Sequence, residues 1–124
     1  MRIFIIDDSK TMRNIQKSIL SSLGHTQIEE AGDGQDALSK VDAFDPELIL
    51  CDWNMPVMDG ITFVRQYRAK GRKAPIIMVT TEAEKTRVVE AIKAGVNNYV
   101  VKPFTPDTFG EKLKETMARA AKAA

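Results

Sequence analysis

Leu48-Ile49-Leu50-Cys51-Asp52 is a run of four apolar residues that ends at an acid. A short run that is apolar on both faces is typical of a strand buried inside a parallel sheet. Ile3–Ile6, Ile76–Val79 and Tyr99–Val101 show the same pattern. Gln27–Ala31 alternates apolar and polar residues instead, so we expect that strand at the edge of the sheet.

Segments with helical spacing of apolar residues separate these strands. Glycines at 24, 71 and 95 follow three of the segments and predict their ends. Thr105 and Pro106 predict the start of the last helix, as N-cap and first-turn residue. The apolar positions of the five predicted helices are Met12, Ile15, Ile19 and Leu23; Ala37, Leu38 and Val41; Ile61, Val64 and Tyr67; Val88, Val89 and Ile92; and Phe109, Leu113 and Met117.

Strands that alternate with helices predict right-handed crossovers and a three-layer αβα fold around a five-stranded parallel sheet. With 124 residues, 44% hydrophobic and 28% charged, the chain is expected to form one domain over residues 1–124. The net charge of +1 argues against nucleic acid as a partner. The sequence has no apolar run long enough to span a bilayer, and its single cysteine, Cys51, cannot form an internal disulfide. We therefore expect a cytoplasmic protein without a membrane partner.

Polar residues follow the predicted strands where each one ends. Asp7-Asp8, Asp52, Thr80 and Lys102 come directly after the first, third, fourth and fifth strands. The carboxyl ends of parallel strands lie on one edge of the sheet, so these residues should converge there. Each has an ordinary alternative role, as a helix cap, a turn residue or a surface lysine. The argument depends on their common position at strand ends.

Three carboxylates in one pocket repel each other and call for a compensating cation. Mg²⁺ suits such oxygen ligands, and Lys102 adds a fixed positive charge. The same charges would stabilise the oxygens of a phosphoryl group, and a carboxylate is a competent nucleophile for phosphorus. The pattern therefore predicts phosphoryl chemistry at an aspartate.

These residues resemble a known family. Cys51–Gly60 is similar to the phosphoacceptor loop of response-regulator receiver domains, and Asp7-Asp8, Thr80 and Lys102-Pro103 match the rest of the family signature. The resemblance implies a flavodoxin-like sheet of strand order 2-1-3-4-5 and a cis Lys102–Pro103 bond. It also implies that Asp52 is the phosphoacceptor of a two-component system.

The resemblance assigns further roles around Asp52. Asp8, Asp52 and the backbone carbonyl of Asn54 would hold Mg²⁺, and Asp7 would act through a bound water. Thr80 and Lys102 would bind the phosphoryl group. Apart from the resemblance, we expect Asn54 and Glu82, beside this pocket, to tune the lifetime of the phosphorylated state. The protein would be a signalling switch rather than a conventional enzyme, although it would catalyse its own phosphorylation and slow dephosphorylation.

Three segments, Ser9–Arg13, Asp52–Pro56 and Tyr99–Thr105, resemble the chemotaxis subgroup of this family. That subgroup implies a sensor histidine kinase as donor, the flagellar motor switch as target, a dedicated phosphatase as a further partner, and a monomeric state. The target would bind the fourth helix, fifth strand and fifth helix. The matching positions are Ala83, Lys85, Val88, Ile92, Val96, Tyr99, Val101 and Lys112.

Other functions share parts of this pattern. An aspartyl phosphatase would carry a second acid two residues after the nucleophile, where this chain has Asn54. A flavodoxin-type cofactor binder would have a Ser/Thr/Gly-rich loop in place of Asp7-Asp8-Ser9-Lys10. A phosphorelay intermediate, a phosphate sink and a receiver excised from a transcription factor would keep the same chemistry, so these three stay open.

Overall fold

The computed structural model describes residues 1–81 and 87–123. In this part of the chain, five strands alternate with five helices. The strands are β1 (Arg2–Ile6), β2 (Gln27–Ala31), β3 (Leu48–Asp52), β4 (Ile76–Thr81) and β5 (Asn98–Lys102). The helices are α1 (Lys10–Ser22), α2 (Gly34–Phe44), α3 (Gly60–Ala69), α4 (Val88–Ala94) and α5 (Pro106–Ala123).

The strands form one parallel sheet in the order β2-β1-β3-β4-β5. This confirms both the parallel sheet and the strand order that the family resemblance implied. The alternating strand β2 lies at an edge, as its pattern predicted, while β3 is buried along its whole length. The carboxyl ends of β1, β3, β4 and β5 therefore lie side by side on one edge of the sheet, where the polar residues were predicted to converge.

Two apolar clusters cover the two faces of the sheet and make the three layers. One face packs against α2, α3 and α4 through residues such as Val41, Val64 and Ala91. The opposite face packs against α1 and α5, where Leu20 and Leu113 are buried. Burial of these apolar side chains is the main force that holds the layers together.

Side-chain caps fix where several helices begin. Ser9, Asp33 and Asp59 each accept a hydrogen bond from a backbone N–H in the first turn of the helix that follows. Thr105 Oγ1 accepts from Thr108 N at 3.1 Å, which confirms the predicted cap of α5. These bonds satisfy donors that have no partner within the helix.

The buried face of α1 differs from the one that its apolar spacing predicted. Ile15 is 44% exposed and Leu23 is 43% exposed, whereas Gln16 is only 1% exposed and lies beside the buried Ile19 and Leu20. The apolar spacing therefore gave the existence of the helix correctly but not its rotation about its own axis.

Two further features bear on the sequence predictions. The Lys102–Pro103 peptide bond is cis, as the resemblance implied. Among the residues that the structure describes, no helix combines the length and the apolar character needed to cross a bilayer.

Candidate functional site: an acidic pocket at the strand ends

Three carboxylates meet at the ends of the neighbouring strands β1 and β3. Asp7 is 1% exposed and Asp52 is 6% exposed, whereas Asp8 is exposed to solvent. One carboxylate oxygen from each of the three lies within 4.8 Å of the others. The predicted convergence of these acids is therefore present in the folded chain.

Lys102 brings a positive charge into the same pocket from the end of β5. Its Nζ lies 3.2 Å from Asp7 Oδ2 and 3.2 Å from Asp52 Oδ1. One strand, β4, separates β5 from β3, and two strands separate β5 from β1, so the long side chain of Lys102 extends across the strand ends to reach both acids. The ammonium group thus compensates part of the charge on two carboxylates at once.

The pocket changes the acidity of its groups. Burial raises the pKa of Asp52 from its ordinary 3.8 to about 6, and the charge of Asp7 adds to the increase, while Lys102 and the Trp53 N–H oppose it. Burial alone would lower the pKa of Lys102, but the Asp52 and Asp7 carboxylates outweigh that effect and raise it. At neutral pH, Asp52 is therefore mainly ionised and Lys102 is protonated.

Backbone contacts hold Asp52 in place. Trp53 N donates to Asp52 Oδ1 at 2.9 Å, and Gly60 N donates to Trp53 O at 2.8 Å. A Cβ atom on Gly60 would lie 2.0 Å from the Asp52 carbonyl oxygen, so α3 can begin this close to β3 only with glycine. The start of α3 therefore helps to fix the segment that carries the acceptor.

Hydrogen bonds from the backbone and from Arg13 hold Asp7 in place. Its Oδ1 accepts from Ser9 N at 2.9 Å, and its carbonyl oxygen accepts from Arg13 Nη1 at 2.5 Å. Arg13 is also paired with Glu30 on β2, with Nε 2.9 Å from Oε1. Arg13 was not predicted as part of this site, because its role depends on a contact between α1 and the end of β1.

Thr80 lies near the end of β4, between the strands that carry Asp52 and Lys102. It is buried, and its Oγ1 donates to the Thr81 carbonyl at 3.3 Å. Asp52 pairs in register with Val79, and Thr80 pairs with Val101. The hydroxyl therefore belongs to the same strand-end edge as the charged residues.

The donor set fits a hard divalent cation such as Mg²⁺. Asp7, Asp8 and Asp52 supply only oxygen atoms, and the closely spaced negative charges favour a cation among them. Asn54 is exposed and follows the acceptor by two residues, in the loop from which the resemblance takes a carbonyl ligand. When bound, a divalent cation would neutralise charge on both the carboxylates and an incoming phosphoryl group.

Among the predicted target-binding positions that the structure describes, Val88 and Ile92 lie on α4, Tyr99 and Val101 on β5, and Lys112 on α5, whereas Val96 lies between α4 and β5. Tyr99 is half-buried, and Lys112 Nζ lies 5.0 Å from the centre of its ring. Ile92 is exposed and Val88 is half-buried, but Val96 is only 5% exposed and offers little surface. A cleft of about 380 Å³ at this face is lined by Tyr99, Val100, Val101, Lys102, Pro103, Thr108 and Lys112. Glu82, Ala83 and Lys85 lie outside the described residues.

Comparison with known proteins identifies the family. Residues 3–114 match the model of the family described as "Response regulator receiver domain". Chemotaxis protein CheY1 of Helicobacter pylori strain J99 is 50% identical over 117 residues, which cover 92% of this chain and 94% of that protein. A CheY homologue of Campylobacter jejuni (strain 81-176) is 48% identical over 122 residues, or 94% of this chain and 92% of the homologue.

The fold agrees with that assignment. A CheY-like receiver domain protein from Methanospirillum hungatei has a solved structure that superposes with a TM-score of 0.89 at 29% identity, covering 99% of this chain and 98% of that one. The chain therefore belongs to the response regulator receiver domain family, and it is similar over nearly its whole length to CheY chemotaxis proteins of that family.

Proposed function

We propose that this chain is a phosphorylation-activated switch in which Asp52 accepts a phosphoryl group from a sensor histidine kinase in the presence of Mg²⁺. The observation that carries the proposal is the position of Asp52, which has an oxygen within 4.8 Å of oxygens of two further carboxylates and 3.2 Å from the Lys102 ammonium. Residues 1–124 are proposed to act as one receiver domain. The family membership supports this reading of the acidic pocket.

The transfer step uses groups that surround Asp52. Asp52 Oδ1 already accepts a bond from Trp53 N, so we assign Oδ2 as the nucleophile. A bond forms between this oxygen and phosphorus as the phosphorus–nitrogen bond of the phosphohistidine breaks, and the leaving imidazole takes up a proton. Lys102 and the Thr80 hydroxyl would stabilise the phosphoryl oxygens, and Asp7, Asp8, Asp52 and the Asn54 carbonyl would hold Mg²⁺.

Asn54 and Glu82 are proposed to set how long the acyl phosphate lasts. An amide at position 54 cannot act as a general acid or base, so water attacks the phosphorus without that assistance. We expect self-dephosphorylation on the order of seconds to minutes. Asn54→Asp should shorten the lifetime; an unchanged lifetime in Asn54→Asp would remove residue 54 from this role.

The proposed output is binding of the flagellar motor switch to the α4–β5–α5 face. The cleft beside Tyr99 and Lys112 combines an aromatic ring with basic groups, which suits an amphipathic acidic peptide. The chemotaxis names of the relatives support the motor as the target. Tighter binding of a motor-switch peptide by the phosphorylated chain would support motor output, whereas equal binding by both forms would favour a relay or sink.

Trp53 fluorescence tests the switch itself. Because Trp53 adjoins Asp52, addition of Mg²⁺ and beryllofluoride, which mimics a phosphoryl group, should change its emission. Asp52→Asn is the matched control, since it retains the shape of the side chain but not its charge. A Mg²⁺-dependent change in the wild type that Asp52→Asn lacks supports the proposal, and an equal response in both contradicts it.

A further inference from the structure

Trp53 is covered by an arginine that comes from the start of α4. The guanidinium carbon of Arg87 lies 4.4 Å from the centre of the Trp53 ring, and Trp53 is only 1% exposed. Among the described residues, none supplies a hydrogen-bond partner for the buried Trp53 Nε1. The ring is thus held by packing and by this cation–π contact.

The contact extends a continuous path that begins at the acceptor. Asp52 Oδ1 is bonded to the backbone N–H of Trp53, and the Trp53 ring contacts Arg87. Arg87 Nε lies 3.5 Å from Glu90 Oε2 in the first turn of α4, and Glu90 Oε1 lies 3.4 Å from Arg65 Nη2 on α3. The charge at Asp52 and the first turn of α4 are therefore linked by direct contacts.

We propose that Arg87 is a positioning residue that transmits the charge state of Asp52 to the start of α4. This inference depends on the proposed function, because it assigns a route by which phosphorylation of Asp52 reaches one element of the target-binding face. Arg87 touches neither the nucleophile nor the cation ligands in the contacts described above; it acts through Trp53 and Glu90.

The arrangement is suited to a change in charge. Arg87 is attached to Trp53 by one cation–π contact and to Glu90 by a long, solvent-exposed ion pair, and both attachments are individually weak. Phosphorylation replaces the ionised Asp52 carboxylate beside Trp53, with about −1 charge, by an acyl phosphate with about −1.5 to −2 charges. An exposed cation held by weak contacts can respond to such a change, and any movement of Arg87 alters its pairing with Glu90.

The far end of α4 is fixed, which confines the response to its first turn. Arg68 Nε and Nη2 both donate to the Gly95 carbonyl, at 3.1 and 2.8 Å, and Arg68 Nη2 also donates to Asn97 Oδ1 at 3.0 Å. Within residues 1–81 and 87–123, no comparable set of bonds holds Arg87, whose side chain is 44% exposed. A perturbation at Arg87 should therefore appear as a change at the amino end of α4.

Hydrogen exchange of the Val88–Ala94 amides tests this inference. The wild type, Arg87→Gln and Arg87→Lys would be compared with and without Mg²⁺ and an acyl phosphate, and intact mass would report phosphorylation in each sample. Arg65→Gln is the matched control, since it removes the other cation beside Glu90 and leaves Trp53 untouched. Emission of Trp53 in the unphosphorylated variants reports loss of the covering guanidinium.

We expect phosphorylation to change exchange in α4 of the wild type and of Arg65→Gln, and Arg87→Gln to reduce that change about twofold or more while still accepting the phosphoryl group. Arg87→Lys should restore part of the response because it keeps the charge. An α4 response in Arg87→Gln equal to that of the wild type, or a phosphorylated wild type without any α4 response, would overturn the coupling alone. Failure of the wild type to accept a phosphoryl group would overturn the proposed function as well.

Discussion

Replacement of Asp52 by asparagine should stabilise the unphosphorylated protein at neutral pH. Asp52 is buried beside Asp7, and this environment raises its pKa to about 6. The ionised carboxylate is therefore less stable in the folded chain than in the unfolded one. Asparagine has nearly the same shape, its Oδ1 can still accept from Trp53 N, and Lys102 keeps its partner Asp7 at 3.2 Å.

The pKa shift sets the size and pH dependence of this effect. Between pH 3.8 and about 6 the folded chain binds the Asp52 proton more tightly than the unfolded chain, so stability falls as the pH rises through this range. The full shift corresponds to about 3 kcal/mol at about 1.4 kcal/mol per unit. Because the pocket opens to solvent at Asp8, screening reduces this, and we expect a gain of about 1–2 kcal/mol above pH 6.

Urea unfolding in EDTA at about pH 4.5 and about pH 8 measures the effect. The advantage of Asp52→Asn over the wild type should be larger at the higher pH. Asp36→Asn is the control, because Asp36 makes a solvent-exposed ion pair with Lys40 and its replacement should change stability by less than about 1 kcal/mol. An Asp52→Asn variant that is less stable than the wild type at both pH values would refute the reasoning.

Mg²⁺ should raise the thermal unfolding midpoint of the wild type, measured by circular dichroism, and this increase should be lost in Asp52→Asn and reduced in Asp8→Asn. Gly60→Ala should lower the free energy of unfolding, measured with urea, by about 3 kcal/mol, because the new Cβ would meet the Asp52 carbonyl. Gly71→Ala should lower it by only about 1–2 kcal/mol, because Gly71 has a positive φ but lies in open space. Arg68→Ala should lower the free energy of unfolding by about 1–3 kcal/mol, because the Gly95 carbonyl loses two hydrogen-bond donors. It should also speed amide hydrogen exchange at the carboxyl end of α4.

The backbone architecture was largely predictable from sequence pattern. A strand that is buried on both faces is apolar throughout, and this pattern identified β3. A strand with one face nearer to solvent alternates apolar and polar residues, and this pattern placed β2 at the edge of the sheet. The polar residues at the strand ends then predicted that Asp7, Asp52 and Lys102 lie close together, because the carboxyl ends of parallel strands lie on one edge of the sheet. These inferences use only local periodicity and the direction of the chain.

Predictions that depended on tertiary packing were less successful. The apolar spacing of α1 predicted that the buried face contains Ile15, but Ile15 is exposed and Gln16 is buried instead. The surfaces that pack against a helix decide which of its sides is covered. The contacts of Arg13 with the Asp7 carbonyl and of Arg87 with the Trp53 ring join residues on different elements. An arginine on a helix is usually solvent-exposed, so the sequence carries no local signal for either contact.

Intact mass spectrometry after incubation with a small acyl phosphate tests the central claim most directly. We predict that the wild type gains one phosphoryl group only when Mg²⁺ is present, that peptide mapping places it on Asp52, and that Asp52→Asn gains none. Lys102→Ala should gain it more slowly, because the ammonium within 3.2 Å of Asp52 is lost. Phosphorylation of Asp52→Asn to the same extent, or no phosphorylation of the wild type with Mg²⁺ present, would contradict the assignment of Asp52 as the acceptor.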